Sequence, residues 1–428
     1  MLSRIMLIVV MVITFVAFIV TFSLVLSNAF AQPVVLEPSL KIEHVFGAEF
    51  KPTNMVFLGK NDILVLDRDE GKVYRMLNGN MNSEPLLDAK VATIGYRGML
   101  GIDVMKTKVN RTFVFLYYTE SVGKDGDDEF SKGGLEPQGN RLYRYELKNG
   151  KLVYPKLLLD LPVKPGPRHT GGEVAVGPDN NIYLTIGDLD GTFMEGFETM
   201  AQNYQNKSTL DGRAGILRVT PLGNPVGNGI LGSQYPLNMY FAYGIRNSFG
   251  LDWDPVTGKL WDTENGPHYG DEINIVEPGF NSGWVGVQGL WKPNFEIMGE
   301  LSLRPDGLVD FGKKGKYSEP EFIWNVPIAP TALKFFNSNK YGPEYKDDLF
   351  VADANTGTIY RFELNANRTG LQLQQQLNDK IANNIEELND IVFVKGLGRI
   401  TDLQIGHDGF LYVLSTDDGI KLDRIVTK

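Results

Sequence analysis

The chain alternates short runs of apolar residues with short polar turns along most of its 428 residues. A representative unit, EVAVGPDNNIYLTIGD from Glu173 onward, has an apolar run, a turn rich in Gly, Asp, Asn and Pro, and a second apolar run. Apolar runs of about four to eight residues bounded by such turns are typical of β-strands paired in hairpins. The pattern therefore predicts a protein made of many short strands.

Six such units follow one another from residue 40 onward, and each leads to a further strand-like segment. The units begin at Met55, Gly101, Glu173, Gly250, Ala332 and Asp402. Their period of roughly 70 residues exceeds the ~40–50 of common propeller repeats, which leaves room for one inserted loop in each unit. Radial packing of hairpin-rich sheets protects their edges. We predict an all-β, six-bladed β-propeller; a sandwich or several small β domains are the alternatives.

The N-terminal segment has a different character. Residues 5–26 carry no charge, and this stretch is long enough to span a bilayer. Ala29 and Ala31 then form a small-x-small pattern typical of signal-peptide cleavage. We predict a signal peptide or membrane anchor over residues 1–31 and a propeller domain over residues 32–428. The lone positive residue before the apolar stretch, Arg4, predicts that this domain lies outside the cytoplasm.

The composition removes several classes of function. The formal net charge is -10 and no basic run occurs, whereas nucleic-acid binders present a basic face to the phosphates. The absence of cysteine excludes disulfides, thiolate metal sites and a cysteine nucleophile. We therefore expect no nucleic-acid partner, and any metal ion must be held by oxygen or nitrogen atoms.

His169 is one of only four histidines and is the first candidate for chemistry. It lies just before one strand of a predicted hairpin and Asp188 ends the next, so the hairpin returns both to the same side. An imidazole held by a carboxylate is oriented and made more basic, as a general base requires. Gly171 and Gly172 allow backbone or ligand to approach closely. A structural or surface histidine is the alternative that the residues leave open.

Two further clusters carry polar groups at strand ends. Arg246 and Asn247 precede the first strand of the fourth unit, where they can donate hydrogen bonds to a planar, anionic ligand. The stretch ENGPHYGDEIN, residues 264–274, is a Gly/Pro turn whose carbonyls and acidic side chains suit calcium. The alternatives are an arginine paired with a surface acid and an ordinary acidic turn.

Taken in chain order, these stretches carry a resemblance to a known family. They are RHTGGEVAVGPDNNIYLTIGD, GILRVTPLGNPV, YGIRNSFGLDWDPVTGKLWDTENGPHYGDEINIVEPGFNSGW and RITDLQIGHDGFLYVLSTDD. From about residue 52 to residue 418 the chain resembles the glucose/sorbosone dehydrogenases, soluble six-bladed propellers of the extracytoplasmic space that depend on pyrroloquinoline quinone (PQQ). The resemblance implies oxidation of an aldose to its lactone with PQQ and Ca²⁺ as cofactors. The implied partners are a sugar substrate and an external electron acceptor, which is a quinone, a cytochrome or a copper protein.

The resemblance also implies roles for single residues. His169 would take the proton from the anomeric hydroxyl while hydride passes from sugar C1 to the quinone, and Asp188 would orient the histidine. Arg246 and Asn247 would hold the reactive carbonyl edge of the quinone. Calcium and the arginine would stabilise the negative charge that develops on the quinone oxygen.

The same resemblance places the calcium ligands. The backbone carbonyls of Gly266 and Pro267 would bind the calcium that accompanies the cofactor. Glu272 would be an acidic ligand of a second, structural calcium.

At three cofactor-binding positions the chain departs from the family pattern. Asn355 stands where a lysine occurs, Thr401 stands where a second arginine accompanies Arg399, and Tyr96 stands where a glutamine occurs. Charge-assisted hydrogen bonds are worth roughly 1.5–3 kcal/mol each, so the loss of two cations would weaken PQQ binding by about two to four decades. The cations that could compensate are Arg97, Arg168 and Lys334.

These departures keep two other functions open. One is a non-catalytic propeller that binds sugar or a protein partner and has lost PQQ. The other is a calcium-dependent hydrolase of the lactonase kind, which would need several carboxylates converging on one metal.

Overall fold

A computed structural model describes residues 32–124, 126–190, 203, 210–293, 295–297, 300–417 and 419–428. The predicted signal or anchor segment, residues 1–31, lies outside these ranges. Regular structure in the described ranges is almost entirely β-strand, and no helix among them is long and apolar enough to cross a membrane. The described 3-10 helices are short: Leu237–Met239, Pro305–Gly307, Pro343–Tyr345, Gln375–Leu377 and Glu386–Ile391.

Most strands belong to six sheets of four or more strands, which we number in chain order from Pro52 onward; the earlier strands Val34–Val35 and Leu40–Ala48 join the last two sheets. The first sheet contains Pro52–Gly59, Asp62–Asp67, Lys72–Leu77, Asn80–Met81 and Leu87–Asp88. The second contains Met99–Lys106, Thr112–Glu120, Gly139–Lys148 and Lys151–Leu161. The third contains Val174–Val176, Ile182–Ile186, Gly215–Val219, Tyr240–Tyr243, Phe280–Asn281 and Lys316–Tyr317.

The remaining sheets follow along the chain. The fourth contains Ser248–Trp253, Leu260–Glu264, Asp271–Val276, Phe322–Trp324 and Ile381–Ala382. The fifth contains Pro330–Phe335, Leu349–Asp353, Ile359–Phe362, Val392–Lys395 and Val34–Val35. The sixth contains Arg399–Ile405, Leu411–Thr416, Ile420–Thr427 and Leu40–Ala48. A separate two-stranded sheet pairs Glu296–Ile297 with Glu300–Leu301.

Consecutive sheets pack face to face, and each neighbouring pair shares one buried apolar core. Because both faces of a sheet are covered, its strands are continuous apolar runs rather than alternating ones, as in Leu349–Asp353, where every residue is buried. The sixth sheet packs on the first, where Leu414 and Met55 belong to one core. The sheets therefore form a closed ring, and the prediction of an all-β propeller is confirmed.

The two ends of the described chain close this ring. The strand Leu40–Ala48 pairs antiparallel with Ile420–Thr427 and becomes the outermost strand of the last sheet. The strand Val34–Val35 likewise joins the outer edge of the fifth sheet. Hydrogen bonds between distant parts of the chain thus hold the ring together at its seam.

The sheets are less uniform than the sequence predicts. Five of them are unbranched sets of four to six strands, which we count as regular blades. In the first sheet, the third strand Lys72–Leu77 has two separate two-residue strands along its outer edge. The predicted count of six blades therefore differs from the five regular blades among the described residues, because the chain after Leu77 forms two short strands instead of one full outer strand.

The first strand of each sheet lines the centre of the ring, since the first strands of consecutive sheets contact one another. Their starting residues lie at the same end. Thr53 Oγ1 donates to the Met99 carbonyl 2.7 Å away, and Thr331 Oγ1 donates to the Ile400 carbonyl at the same distance. Residues that precede these strands, His169 among them, therefore gather at one mouth of the central channel.

Candidate functional site

His169 and Asp188 meet at the mouth of the third sheet. The strands Val174–Val176 and Ile182–Ile186 pair antiparallel, so the residues before the first and after the second lie side by side. His169 Nδ1 lies 2.6 Å from Asp188 Oδ1. Both residues are buried, with exposed fractions of 6% and 2%. The structure thus brings together the two residues that the hairpin pattern predicts to meet.

The backbone around this pair is strained. His169, Leu189 and Asp190 have φ angles of 54°, 53° and 62°, in a region that non-glycine residues seldom occupy. Such strain persists only where the surrounding structure enforces it, and it is concentrated at functional sites. Asp190 Oδ1 lies 3.9 Å from His169 Nδ1 and is buried without a hydrogen-bond partner in the described chain. A second carboxylate therefore flanks the histidine.

Asp188 is held by more than the histidine. Its Oδ1 accepts a hydrogen bond from the Asp190 backbone N–H at 3.0 Å, and its Oδ2 accepts one from Trp284 Nε1 at 2.9 Å. Burial alone raises the pKa of Asp188, but the facing His169 and Arg246 and the Trp284 N–H together bring that pKa below its ordinary value. The carboxylate is therefore kept ionised beside the imidazole.

Arg246 lies next to this group and is itself buried. Its Nη1 donates to the carbonyls of Asn265 and Gly266 at 2.9 and 3.0 Å. Its guanidinium carbon lies 5.5 Å from the centre of the Trp284 ring, and its Nε has no hydrogen-bond partner in the described chain. Burial lowers the pKa of Arg246, although nearby carboxylates, Asp188 first among them, oppose the shift. A buried cation with an unused donor is suited to bind an anionic ligand.

Asn247 has a structural partner that the sequence does not predict. Its Oδ1 accepts a hydrogen bond from the Gly171 N–H at 3.2 Å, and its backbone carbonyl accepts one from the Asn265 N–H at 2.8 Å. The side chain therefore links the segment that carries His169 to the one that carries Arg246. The predicted role of Asn247, to donate to a ligand, is left to its amide nitrogen.

Gly187 lies where these segments cross, and we predict a large effect of Gly187→Ala. An added Cβ would press against the backbone oxygens of His169 and Arg246 and lie 3.0 Å from Asn247 Oδ1. Backbone oxygens cannot rotate away as side chains can, so the main chain at His169 and at Arg246 would have to shift. We expect a loss of about 1–3 kcal/mol in the free energy of unfolding, together with loss of ligand binding. Chemical denaturation and ligand titration measure the two effects.

Gly59→Ala is the matched control for this substitution. Gly59 ends a strand of the first sheet, and a Cβ added there meets no atom within 4 Å. We expect its free energy of unfolding and its ligand affinity to remain close to those of the unsubstituted protein. Equal behaviour of the two variants would contradict the crowding at Gly187.

The turn at Gly266 and Pro267 was predicted to bind calcium through its carbonyls. A side chain at Gly266 would collide with the Tyr269 carbonyl, so only glycine fits this tight turn. The Gly266 carbonyl already accepts the hydrogen bond from Arg246 Nη1. A calcium ion at that oxygen would lie beside the guanidinium, and two adjacent cations repel. The donor set of this turn, as it is arranged, does not fit calcium.

Glu272, the predicted ligand of a second calcium, is also fully engaged. Its Oε1 accepts hydrogen bonds from Gln288 Nε2 and the Gly289 N–H at 2.8 and 2.7 Å, and its Oε2 accepts one from Asn274 Nδ2 at 3.1 Å. Burial raises the pKa of Glu272 to about 7. Across the described ranges, no group of three or more His, Cys, Asp or Glu residues is arranged to bind a metal.

Three of the predicted cofactor residues have hydrogen-bond partners within the described chain. Tyr96, 45% exposed, accepts a hydrogen bond at its carbonyl from Thr170 Oγ1 at 3.0 Å. The side chain of Asn355 donates to the Pro327 carbonyl at 3.2 Å. Thr401 Oγ1 donates within its own sheet, to the Leu414 carbonyl at 3.4 Å. At Asn355 and Thr401 the rim of the fifth and sixth sheets therefore carries an amide and a hydroxyl group where the family pattern has cations.

The cations proposed as substitutes already have acidic partners. Arg97 is fully buried and binds Asp128 and Glu129, each at 2.7 Å. Arg168 Nε lies 3.1 Å from Asp190. Lys334 Nζ lies 3.5 Å from Asp252. Each of these cations is thus already paired with a carboxylate, and Arg168 is paired with the one that flanks His169.

Lys334 lies deeper in the central channel than the mouth. Burial lowers the pKa of its ammonium group, but carboxylates on or next to the first strands of other sheets outweigh burial and raise that pKa. These carboxylates are Asp252, Glu173, Asp402 and Asp103. Lys334 is therefore the counter-ion of an acidic ring within the channel.

Comparison with known proteins places the chain in context. The model of the family described as Glucose / Sorbosone dehydrogenase matches residues 50–424. The aldose sugar dehydrogenase YliI of Escherichia coli is 25% identical over 377 residues, which are 87% of this chain and 89% of that protein. Quinoprotein glucose dehydrogenase B of Acinetobacter calcoaceticus is 30% identical over 263 residues, which are 56% of this chain and 51% of that protein.

A solved structure supports the architecture. The PQQ-bound form of an aldose sugar dehydrogenase from Streptomyces coelicolor superposes with a TM-score of 0.62 at 21% identity, covering 92% of this chain and 99% of that one. At this identity the likeness concerns the fold alone. It extends over the whole ring of sheets described above.

Proposed function

Because the chain belongs to the glucose/sorbosone dehydrogenase family, we propose that it is a PQQ-dependent dehydrogenase that oxidises the anomeric carbon of aldose sugars to the lactone. The observation that carries this proposal is the buried His169–Asp188 pair, 2.6 Å apart, beside the buried Arg246. Together they offer a proton acceptor and an anion-binding cation at one mouth of the ring.

In this proposal His169 takes the proton of the anomeric hydroxyl. Asp188 binds Nδ1, so Nε2 is the nitrogen left to accept a proton from substrate. The carboxylate also stabilises the positive charge that the imidazole gains. Burial of the pair excludes water and strengthens both effects. Loss of the hydroxyl proton makes it easier for hydride to leave C1, so the sugar becomes its lactone.

The residues present fit an anionic quinone such as PQQ at one point above all. Arg246 Nε is buried and has no hydrogen-bond partner in the described chain, and an oxygen of the ligand would satisfy it. Arg399 is exposed at the start of the sixth sheet and would be the cation available to a carboxylate of the ligand. When bound, PQQ would supply the two-electron acceptor for the hydride from C1.

Calcium has no assigned site in this proposal, although the family resemblance implies one at the Gly266 and Pro267 carbonyls. The Gly266 carbonyl already accepts a hydrogen bond from Arg246. Glu272 Oε1 accepts two further hydrogen bonds, so these oxygens as arranged do not suit a calcium ion. We therefore derive no part of the reaction from it. The metal content of the purified protein, measured by mass spectrometry, tests this point separately from activity.

The proposal includes the cellular location of the domain and its electron acceptor. The uncharged stretch over residues 5–26 supports an extracytoplasmic domain, secreted or anchored to the outer face of the membrane. There an external quinone, cytochrome or copper protein would accept the electrons.

We also count the irregular first sheet as the sixth blade, since it shares apolar cores with both neighbours.

A second candidate is a propeller that binds sugar without oxidising it. It is favoured by the amide and hydroxyl groups at Asn355 and Thr401, where the family has cations, and by the existing partners of Arg97, Arg168 and Lys334. Both candidates use the same mouth of the ring, and they differ only in whether PQQ is retained.

Titration of the purified protein with PQQ, with and without calcium, tests the proposal. We expect saturable binding, followed by reduction of an electron-accepting dye that depends on added aldose. Sugar binding without any PQQ uptake would favour the binding propeller. Hydrolysis of a lactone in the absence of PQQ would favour a lactonase, and either result would contradict the dehydrogenase.

A further inference from the structure

Trp284 contacts both functional elements of the site. Its Nε1 donates to Asp188 Oδ2 at 2.9 Å, and its ring faces the Arg246 guanidinium 5.5 Å from the ring centre. The side chain is fully buried. Its backbone N–H donates to the Gly244 carbonyl at 2.9 Å, and its carbonyl accepts from Asn203 Nδ2 at 3.0 Å. The backbone that carries the indole is therefore held by contacts outside the site.

The other buried tryptophans of the ring behave differently. Trp261 and Trp324 are also fully buried, yet neither Nε1 has a hydrogen-bond partner in the described chain. Their function is packing, in the core between the fourth and fifth sheets. Trp284 belongs to a small separate cluster with Val285 and Ile297. Its indole N–H is therefore used for a purpose that packing does not require.

The contacts around Asp188 indicate what the indole N–H of Trp284 does. The charged or titratable groups that face Asp188 include His169, Asp190 and Arg246. His169 and the Asp190 backbone N–H bind Oδ1, while Trp284 binds Oδ2. A carboxylate held at both oxygens cannot rotate, so Oδ1 stays directed at the imidazole.

We propose that Trp284 is a positioning residue of the dehydrogenase: it locks the Asp188 carboxylate against His169 and supports the Arg246 guanidinium with its ring face. This inference rests on the proposed function. Trp284 itself touches neither the sugar nor the reacting atoms, but it sets the geometry of His169 and Arg246, which do.

Trp284→Phe separates the two contacts, because phenylalanine keeps a ring beneath Arg246 and removes only the N–H donor. The buried carboxylate then loses a hydrogen bond that favours its ionised form, so the pKa of Asp188 rises. Because the indole N–H no longer draws negative charge from the carboxylate, the His169–Asp188 pair binds a proton more readily and takes it up at a higher pH. We expect the acid limb of the kcat/KM profile to move up by about one pH unit, and kcat/KM at neutral pH to fall about 10-fold.

Trp324→Phe is the matched control, because it makes the same change at a buried tryptophan that has no hydrogen bond to lose. Its profile should coincide with that of the unsubstituted protein. In the Asp188→Asn background, Trp284→Phe should change kcat/KM less than about twofold, since its effect passes through the Asp188 carboxylate. An equal loss in both backgrounds, with no movement of the acid limb, would indicate packing alone and would overturn the proposal.

A second readout does not require catalysis. The Nδ1 proton of His169 can be followed by NMR in cofactor-free, 15N-histidine-labelled protein and assigned by its absence in His169→Gln. We expect this resonance to shift in Trp284→Phe and to stay unchanged in Trp324→Phe. A resonance unchanged in both would overturn the positioning role. Absence of sugar oxidation in the unsubstituted protein, with this shift present, would instead refute the proposed function and leave the structural link intact.

Discussion

His169→Gln is expected to lower the rate of sugar oxidation by about 10²–10⁴-fold, the range that general-base catalysis contributes. Glutamine has a similar length and polarity but cannot accept a proton at neutral pH. The Asp188 carboxylate and the Arg246 guanidinium remain, so the affinity for PQQ should change little. Steady-state dye reduction with saturating aldose measures the first quantity, and PQQ titration measures the second.

His407→Gln provides the control for this substitution. His407 is exposed in the turn between Arg399–Ile405 and Leu411–Thr416, at the end of these strands away from Arg399. Its replacement should leave both the rate and the affinity unaltered. Full activity of the His169 variant would remove the proton acceptor from our account, whereas loss of PQQ binding would give the histidine a binding role instead.

Arg246→Ala is expected to damage cofactor binding and turnover together. The substitution removes the buried donor Nε that is available to a ligand and leaves the Asn265 and Gly266 carbonyls without their partner. It also removes a positive charge that lowers the pKa of Asp188. Charge-assisted hydrogen bonds are worth roughly 1.5–3 kcal/mol each, so the affinity for PQQ should fall by about 10- to 150-fold for each one lost.

Arg246→Lys distinguishes charge from geometry at this position. Lysine restores the positive charge but not the planar fork that reaches two carbonyls and a ligand at once. We expect it to recover part of the affinity and little of the turnover. Thermal unfolding of each variant checks that the ring of sheets is intact. An alanine variant with unchanged PQQ affinity would contradict the cofactor site that we place at Arg246.

Much of the architecture could be predicted from the sequence because it depends on local patterns. The turn GPDNN separates two apolar runs, and the hairpin that it forms brings His169 to Asp188. Arg246 follows the same logic, since it precedes the first strand of the next sheet. The uneven outer edge of the first sheet could not be predicted, because two-residue strands after Leu77 leave no periodic signal in the sequence.

Contacts between segments that are far apart in the chain could not be predicted from such local patterns. Trp284 lies 96 positions from Asp188 in the chain, and nothing in its neighbourhood indicates a polar partner. The side-chain oxygen of Asn247 binds the Gly171 N–H, although the sequence predicted that this residue serves the ligand. The hydrogen bond from Arg246 to Gly266 likewise depends on the folded geometry, and it alters the environment predicted for calcium.

The acidic ring around Lys334 illustrates the same limit. Its members lie on or just before the first strands of different sheets, where each interrupts an apolar pattern. Only closure of the ring places them together. A free cation for PQQ was a reasonable interpretation of Lys334 from the sequence, and the neighbouring carboxylates supply the physical reason why it is already neutralised.

The central claim, that this site removes hydride from sugar C1, is tested most directly by isotopic substitution at that carbon. The measurement compares dye reduction by PQQ-loaded protein with an aldose and with the same aldose carrying deuterium at C1, under single-turnover conditions. Our account predicts that the deuterated sugar reacts severalfold more slowly and that the product is the lactone. Equal rates for the two sugars, or no sugar-dependent reduction at all, would contradict it.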